Sequence, residues 1–588
     1  MLGLWLLMVN CSEAQELFDR YAAGDSIFTD DEIETLVEQS VDIENSPLLD
    51  FLQVQQSTAG GNVEIRSRLA QQLQESRGYT EQHYLGTPMK SYQRITITRG
   101  EHVRAGILFE KDAGEQNFDD FSTGFVCLNS FGAVSSAVVG DYVVEAGQGL
   151  ALWRGDDVSK GANVIMPAMR LGRELVPYAS SGETAFLRGV AMNMRFPNST
   201  AMGFYSQKSC SGSLDAAGNV VSIYASGYFR NRSEIEKRDV FEERIVGVRL
   251  KYDVSDSNLI GATAYTTNFS RFLSFGSQFQ GNRYNVASAD YNFHILDVSL
   301  FGECTKNSVS DLAGVSGVML APAPNLNLIS VYRSYPANFF SLHTNGFGNG
   351  SGTSNEKGFY VGVRFFPIPE ISVSSYFDQF RSFSNTSSSL YPIEGTDFLL
   401  QCENALGPRL RLTTRFQERV GGVEQTVDAG QGRSSRVDDR STRRNFRLNV
   451  DYRLSSSVRM RGRFEFTTFR TLMSGKHETG VMAYNDLSFR ASPRMRLDVR
   501  VVSFNTSSYD AGMGEYESDL PGVLAVPILY GRGVKWYILT TYSAGEKLEF
   551  ALKYSDMIRD DIERLGTGWD ELPTNHDNRV GVQLDVKF

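Results

Sequence analysis

Cysteine and histidine are scarce in this chain, and those present are widely spaced. Its 588 residues include 5 cysteines and 6 histidines. Four of the cysteines, Cys127, Cys210, Cys304 and Cys402, follow one another at intervals of about a hundred residues, a spacing that fits neither a metal-ligand set nor a disulfide framework. The histidines share no spacing that would place two of them on one metal. We therefore expect no metal and no cofactor.

Long hydrophobic runs are also missing. No stretch of about 18 apolar residues occurs, which excludes a transmembrane helix. The mean hydropathy is -0.26, and 41% of the residues are apolar. Such an average fits a porous barrel, because each apolar residue facing lipid alternates there with a polar residue facing the lumen.

Alternation of apolar and polar residues is the clearest pattern that the sequence contains. From Val580 to Phe588 every second residue is apolar, and the chain ends on the aromatic Phe588. This period of two is typical of a half-buried strand, and about ten such residues, tilted near 45°, cross a bilayer. The pattern recurs over 246–253 and 359–377 and throughout the chain from about residue 90. The sequence predicts an all-β transmembrane barrel over 90–588.

Two kinds of connection separate the strands. Short turns occur, for example, at 367–370, 454–457 and 543–546. Longer polar stretches include 334–355, 419–443, 505–523 and 557–578. Short periplasmic turns and long external loops are typical of outer-membrane barrels.

The number of strands follows from this rhythm. The sequence contains about 23 recognisable strands, and because bacterial barrels of this kind have even numbers, we predict about 24 antiparallel strands, with 22–26 compatible. At that size wall side chains cannot fill the lumen. Residues 154–183 show no clear alternation and are a candidate plug or capping loop.

The N-terminal region differs in kind from the rest. Leu2 to Val9 form a short apolar core followed by small residues, which predicts a signal peptide over residues 1–14. Residues 15–85 are predicted to be a short helical segment in the periplasm, where a periplasmic partner could contact it. A capping box at Thr29 and Glu32 indicates one helix, and the spacing of Ile65, Leu69 and Leu73 indicates another.

A group of motifs lies between residues 65 and 195, preceded by Ser76-Arg-Gly-Tyr79. Its residues are Lys111, Asp112, Gly114, Glu115, Gly140, Asp141, Tyr142, Gly147, Gln148, Gly149, Glu183 and Arg188. In order and spacing these motifs resemble a family of large outer-membrane barrels from Bacteroidota-type Gram-negative bacteria. The resemblance implies a barrel in the bacterial outer membrane but indicates little about its function.

Members of that family often carry a helix-hairpin-helix segment, which would suggest contact with DNA. Here only Ala59-Gly-Gly-Asn62 resembles the required hairpin, and no matching second helix follows. Residues 1–60 contain 12 acidic residues and one basic residue, Arg20, and this charge would repel a phosphate backbone. We therefore do not expect nucleic acid as a partner, and DNA uptake is a remote alternative.

No catalytic constellation stands out. Lys111, Asp112 and Glu115 place an amine and two carboxylates on one loop, which could serve acid–base chemistry, but mutual pairing of charged loop residues explains them better. Gly147-Gln-Gly149 is neither a phosphate loop nor a dinucleotide fingerprint, and its glycines would let a strand bend. We predict that the protein is not an enzyme.

Arginine is concentrated in one part of the chain. Between Ala405 and Arg500 there are 19 Arg and one Lys against 10 acidic residues, whereas the whole chain has a net charge of -11. Many of these arginines alternate with apolar residues. They form a predicted basic ladder on the lumen side: Arg409, Arg411, Arg415, Arg459, Arg461, Arg463, Arg494, Arg496 and Arg500.

The lumen assignment follows from energetics, because arginine at the lipid midplane costs about 2–4 kcal/mol. Two interpretations of the ladder remain open. Its arginines could pair with wall acids such as Asp451, Glu465 and Asp498 or with acids of a plug, or they could attract anions, as rings of arginine do in pores.

Three classes of function follow. The first is a pore or transport channel for a hydrophilic solute, with an anion as one candidate. The second is a non-enzymatic binding or assembly component of the outer membrane. The third, an enzyme at the barrel rim, lacks candidate catalytic residues. A TonB-dependent transporter is disfavoured, because the segment before the predicted barrel is too short for a folded plug domain.

Overall fold

The computed structural model describes residues 61–588, apart from 154–159, 185, 256, 277, 351, 385–391 and 429–433. The predicted signal peptide, residues 1–14, lies outside the described residues. The same holds for residues 15–60 of the predicted helical segment.

The wall consists of 24 antiparallel strands, numbered here in chain order. Their bounds are β1 Gly61–Gln72, β2 Met89–Arg99, β3 Val103–Lys111, β4 Phe121–Phe131, β5 Val134–Glu145, β6 Leu187–Phe196, β7 Ser199–Cys210, β8 Phe241–Ser255, β9 Asn258–Ser274, β10 Gln280–Ile295, β11 Val298–Asn307, β12 Leu312–Ala323, β13 Leu326–Tyr335, β14 Glu356–Ile368, β15 Ile371–Arg381, β16 Glu394–Ala405, β17 Leu410–Asp428, β18 Ser434–Arg453, β19 Val458–Thr471, β20 His477–Ser492, β21 Met495–Thr506, β22 Arg532–Ser543, β23 Leu548–Arg559 and β24 His576–Lys587.

Each wall strand pairs with its neighbours in the chain, and the last strand pairs with the first. In this closing pair Ser67 of β1 lies opposite Leu584 of β24. At its end the backbone N–H of Phe588 donates to the carbonyl oxygen of Val63 at 3.0 Å. Because the sheet closes on itself, it has no free edge, as a lipid environment requires. The predicted antiparallel barrel of about 24 strands is confirmed.

Few other regular elements occur in the described part of the chain. Two short helices, α1 Arg77–Thr80 and α2 Arg232–Ile235, and a 3-10 turn lie in loops. Five short strands without labels also lie in loops: Glu174–Pro177, Gly212–Leu214, Val220–Ile223, Met513–Gly514 and Ile528–Leu529. Among the described residues, no helix is both long enough and apolar enough to cross a membrane.

The two faces of the wall differ as the alternation predicts. On β19, Arg461, Arg463 and Thr467 are buried inside the barrel, whereas Phe464 and Phe466 are exposed on its outer surface. An apolar outer face is what a lipid-embedded barrel needs, because hydrocarbon offers no partner for polar side chains.

The two ends of the barrel also differ. At one end, the turn end, strands are joined by two to four residues, as at 454–457 and 493–494. At the other, the loop end, the connections include the long segments 146–186, 211–240 and 507–531. Gly61 and Lys587 both lie at the turn end, because β1 and β24 pair there.

Two boundaries predicted from the sequence are wrong. The barrel begins at Gly61 rather than near residue 90, and the residues around Ile65 and Leu69 form strand β1 instead of a helix. A spacing of four residues is a multiple of the strand period as well as close to one helical turn, so it does not distinguish the two. In addition, β17 and β18 extend through most of 419–443, predicted to be a loop.

The outer face yields a test of how the wall meets lipid. Phe464 lies near the middle of β19 with its side chain exposed. Phe464→Arg should lower the free energy of unfolding from lipid vesicles by about 2–4 kcal/mol, the cost of arginine near the bilayer midplane. Denaturant titration of the refolded barrel measures this. Phe464→Leu is the matched control and should cost clearly less; equal losses for both variants would contradict the assignment of this face to lipid.

Candidate functional site

Two long connections from the loop end fold into the lumen. The first inward loop consists of the described residues of 146–186, which are 146–153, 160–184 and 186, and it includes most of the predicted plug or capping loop. The second inward loop comprises residues 507–531. In the first, Val164 is fully buried and its carbonyl oxygen accepts a hydrogen bond from the Tyr360 hydroxyl of β14 at 2.8 Å. In the second, Met513 and Leu529 are buried against the inner faces of β20 and β21.

A glycine motif anchors the first inward loop to one wall carboxylate. Glu303 of β11 accepts backbone N–H groups of Gln148 at 2.7 Å, Leu150 at 2.9 Å and Ala151 at 2.9 Å. Gly147 and Gly149 have φ of +57° and +84°, left-handed values that favour glycine and that turn the amides toward the carboxylate. A Cβ at Gly147 would lie 2.8 Å from a Glu303 oxygen. The motif therefore binds the wall of its own barrel.

Ion pairs fasten the rest of this loop across the lumen. Lys160 Nζ lies 2.6 Å from Asp378 of β15 and 3.6 Å from Asp397 of β16. On the other side of the loop, Glu174 pairs with Arg249 of β8 at 2.8 Å. Removing one partner of such a buried pair is strongly destabilising, because the other charge is then left uncompensated.

The Lys111 to Glu115 motif joins loops at the rim. Lys111 Nζ donates to the Met89 carbonyl oxygen at 2.8 Å, and the N–H of Gly114, with φ of +96°, donates to the Thr87 carbonyl oxygen at 2.8 Å. The Glu115 carboxylate accepts the backbone N–H groups of Asp112 and Phe229, each at 2.8 Å. These contacts hold loops together.

The remaining motif residues surround the junction of β5 and β6. Asp141 and Arg188 are cross-strand partners that pair at 2.7 Å. Gly140, next to Asp141, packs so closely that a Cβ would meet the Gly124 carbonyl oxygen at 2.2 Å. The buried Tyr142 hydroxyl donates to the Tyr205 carbonyl oxygen at 2.8 Å.

Glu183 lies in the first inward loop with its carboxyl group against Gly227. Burial, together with the nearby carboxylates of Glu115, Asp112 and Glu110, raises the pKa of Glu183 to about 9. A carboxyl group in such surroundings is held in its neutral form at neutral pH.

The second inward loop meets the basic ladder directly. Glu515 lies 2.7 Å from Arg463 of β19 and 2.7 Å from Arg500 of β21. Arg500 is 1% exposed, pairs also with Asp486 at 2.6 Å, and lies 4.2 Å from the centre of the Tyr484 ring. One carboxylate of the loop therefore joins two strands of the ladder.

Other members of the ladder pair within the wall. Arg459 Nε donates to Asp451 at 2.9 Å, Arg461 lies 3.1 Å from Asp486, and Arg496 lies 2.9 Å from Asp498. Arg409 and Arg494 instead lie in turns, outside the strands, and are exposed.

Strand β17 carries the remaining ladder residues, Arg411 and Arg415, and the same inner face also carries Arg419, which the predicted ladder did not include. Arg415 is buried and donates to Gln417 at 3.2 Å. Arg419, near the middle of the strand, pairs with Asp397 at 3.0 Å, yet 55% of its side chain is exposed. Arg411 is exposed as well. Water therefore reaches this strand inside the barrel.

Sequence reasoning missed the residues that join loop to wall. Glu303, Asp486 and Glu515 carry no motif, and 505–523 reads as an ordinary long loop. The available signal was composition: apolar residues such as Met513, Leu520 and Val523 recur in this stretch, more than an external loop needs.

Comparison with known proteins identifies distant barrels. No protein-family model matches the chain, and no curated protein does either. Among solved structures, the siderophore receptor PirA from Pseudomonas aeruginosa shares 8% identity at a TM-score of 0.45, covering 91% of this chain and 81% of that one. The copper transporter OprC shares 8% identity at a TM-score of 0.46, covering 91% and 82%. Similarity this low carries no argument, so the fold assignment rests on the strand pairing itself.

The contact of Glu515 with the ladder can be tested by removing one charge. Glu515→Gln leaves the buried Arg463 and Arg500 short of a carboxylate and should weaken docking of the second inward loop by about 3 kcal/mol. Hydrogen exchange of backbone amides in 511–531 should speed up while the wall strands stay protected. The control is Glu418→Gln, which breaks an exposed pair with Arg444 and should cost less than about 1 kcal/mol. Unchanged exchange in the Glu515→Gln protein would contradict the anchoring role.

Glu183 predicts a dependence on pH. Its folded-state pKa of about 9 exceeds the ordinary glutamate value of about 4.3, so the docked loop binds more protons than the undocked loop between these values. Docking should therefore weaken as pH rises through this window. Amide exchange over 175–184, corrected for intrinsic rates, measures it. Glu183→Gln should flatten the dependence, whereas Glu546→Gln, in an exposed turn, should not; a persistent slope in Glu183→Gln would refute the assignment.

Proposed function

We propose that this barrel transports a hydrophilic, anionic solute across the outer membrane and that its two inward loops form the gate. The observation that carries the proposal is that two inward arginines of β17, Arg411 and Arg419, are exposed to water on either side of the buried Arg415, on a strand between the places where the two loops attach. Three features of the barrel support it: charge, access and movement.

The first feature is charge. The inner faces of β17, β18 and β19 carry an excess of arginine, here called the arginine wall: Arg411, Arg415, Arg419, Arg443, Arg447, Arg459, Arg461 and Arg463. Among described side chains of these three strands, the inward carboxylates are Asp439, Asp451 and Glu465. Positive charge inside low-dielectric walls focuses a field that attracts anions.

The second feature is access. Contacts of the first inward loop reach Asp397 on β16, and those of the second reach Arg443 on β18, which donates to the Gly512 carbonyl oxygen. Strand β17 lies between them, and it is here that Arg419 keeps 55% of its side chain exposed. A hydrated anion approaching along β17 would meet arginines that solvent already reaches.

The third feature is movement. Glu515 is itself an anion held by two arginines. A solute with carboxylate or phosphate groups would compete for the same guanidinium groups, because carboxylates and phosphates both accept charge-assisted hydrogen bonds from arginine. Exchange of Glu515 for the solute would release the second inward loop and widen the path. This gives the loop a role in transport rather than only in sealing the barrel.

The location completes the proposal. With the loop end outside and the turn end in the periplasm, the N-terminal segment would lie in the periplasm, and membership in the Bacteroidota-type barrel family would fit. A binding or assembly component is the alternative function, and it would follow if no solute path opened.

Planar-bilayer conductance tests the proposal. The parent barrel should conduct weakly, and Glu515→Gln should raise the open fraction, because the anchor of the gate is weakened. In a salt gradient the reversal potential should show anion preference, which falls as salt screens the field over roughly 10 Å at 0.1 M.

Charge variants then locate the path. In the Glu515→Gln background, Arg411→Gln with Arg419→Gln should reduce the anion preference at least severalfold. Arg444→Gln, on the outer face, is the control and should leave it unchanged. Cation preference, or no conductance in any variant, would overturn the proposal and favour the binding or assembly function.

A further inference from the structure

A groove of about 1010 Å³ crosses the outer surface of the barrel from β7 to β13. Its floor is a single row of cross-strand partners with small side chains. The row runs Ala201, Leu250, Ala262, Ala289, Cys304, Gly314 and Ser334, of which only Leu250 is large. Because this surface faces the bilayer, the groove is open to lipid.

Large side chains form the side of the groove that lies toward the turn end. Tyr252, Ile260 and Tyr291 are successive partners in the next row toward the turn end, and Tyr332 lies farther along the same row. Side chains in adjacent rows project side by side from the sheet, so a row of small residues beside a row of large ones leaves a channel. The width of the channel is set by the space that large side chains would fill at these positions, and this width suits a hydrocarbon chain.

Basic side chains border the groove where it nears the loop end. Lys306 is the direct cross-strand partner of Leu312, and Lys357 is that of Ser334; both Leu312 and Ser334 line the groove. Arg381 lies opposite Lys357 on the next strand. All three project from the outer face. Lys306 Nζ donates to the Ser310 carbonyl oxygen, Lys357 lies 5.7 Å from the centre of the Tyr332 ring, and Glu394 is the cross-strand partner of Arg381. Among the described residues, none of the three has a carboxylate within ion-pair distance.

These cations lie at the level expected for headgroups. Lys306, Lys357 and Arg381 each occur within the first or last two residues of their strands at the loop end, and long basic side chains reach from such positions to the membrane interface. From β11 to β15 they span four strand spacings, or about 19 Å. This spread suits a headgroup with two separated phosphates better than one with a single phosphate.

We propose that the groove binds a bis-phosphorylated glycolipid of the lipid A type. One acyl chain lies over the small residues from Ala262 to Gly314, and the phosphates contact Lys306, Lys357 and Arg381. We choose a lipid as the occupant because the apolar floor matches its acyl chain and the basic rim matches its phosphates. A second copy of the chain would cover the same three cations without supplying a known partner for their charge. The inference does not depend on the lumen or on transport.

Native mass spectrometry of the whole protein in detergent, with purified lipid A as the probe, tests the proposal. One molecule should bind per barrel. Ala262→Leu with Gly314→Leu should fill the groove and lower affinity at least tenfold; space exists for it, since a Cβ at Gly314 meets nothing closer than 3.8 Å. Lys306→Gln, Lys357→Gln and Arg381→Gln together should also lower it at least tenfold. Because the two sets act on different parts of the lipid, a folding failure in one leaves the other informative.

Matched controls lie on the opposite outer wall. Ala483→Leu on β20 and Arg470→Gln on β19 change comparable exposed residues and should leave binding unchanged. Phosphatidylglycerol, with one phosphate, should bind at least tenfold more weakly than lipid A, and inorganic phosphate should not displace it. Equal binding by parent and groove variants, equal affinity for phosphatidylglycerol, or a parent dimer lost on filling the groove would each overturn the proposal.

Discussion

Closure of the backbone hydrogen-bond ladder is the constraint on which this structure depends. A bilayer offers no partner for an unpaired N–H or C=O group, so a spanning sheet must have no edge. Pairing of β24 with β1 meets this requirement, with Ser67 opposite Leu584. This explains why the first strand must come from residues near Gly61, although their sequence also fits a helix. The wall needs them to pair with the last strand.

Closure with 24 strands leaves a lumen too wide for wall side chains to fill. Two inward loops occupy part of it, and each is fastened through a buried carboxylate. Glu303 belongs to the wall and is held by backbone amides of the first loop. Glu515 belongs to the second loop and is held by Arg463 and Arg500. The first arrangement fixes backbone geometry, whereas the second depends on charge that another anion can match.

The same alternation gives the inner and outer faces of the wall different kinds of side chain. Inside, arginines meet carboxylates in some places and water in others, as Arg419 does. Outside, most strands present large apolar side chains, but β7 to β13 present a row of small ones. Because neighbouring residues point to opposite faces, a substitution on one face leaves the side chains of the other face almost unchanged. A charge in the lumen and a groove facing lipid can therefore be altered independently.

Sequence alone determined the fold class, the approximate strand number and which face of β19 meets lipid. These properties follow from a local period of two, since a polar residue on the lipid face carries a large cost. Tertiary structure alone decided that Arg500 meets Asp486 and Glu515, that Gly147 and Gly149 serve Glu303, and that residues 507–531 enter the lumen. Those contacts join residues on different strands and loops. No local pattern encodes them, because they depend on how the closed wall brings distant segments together.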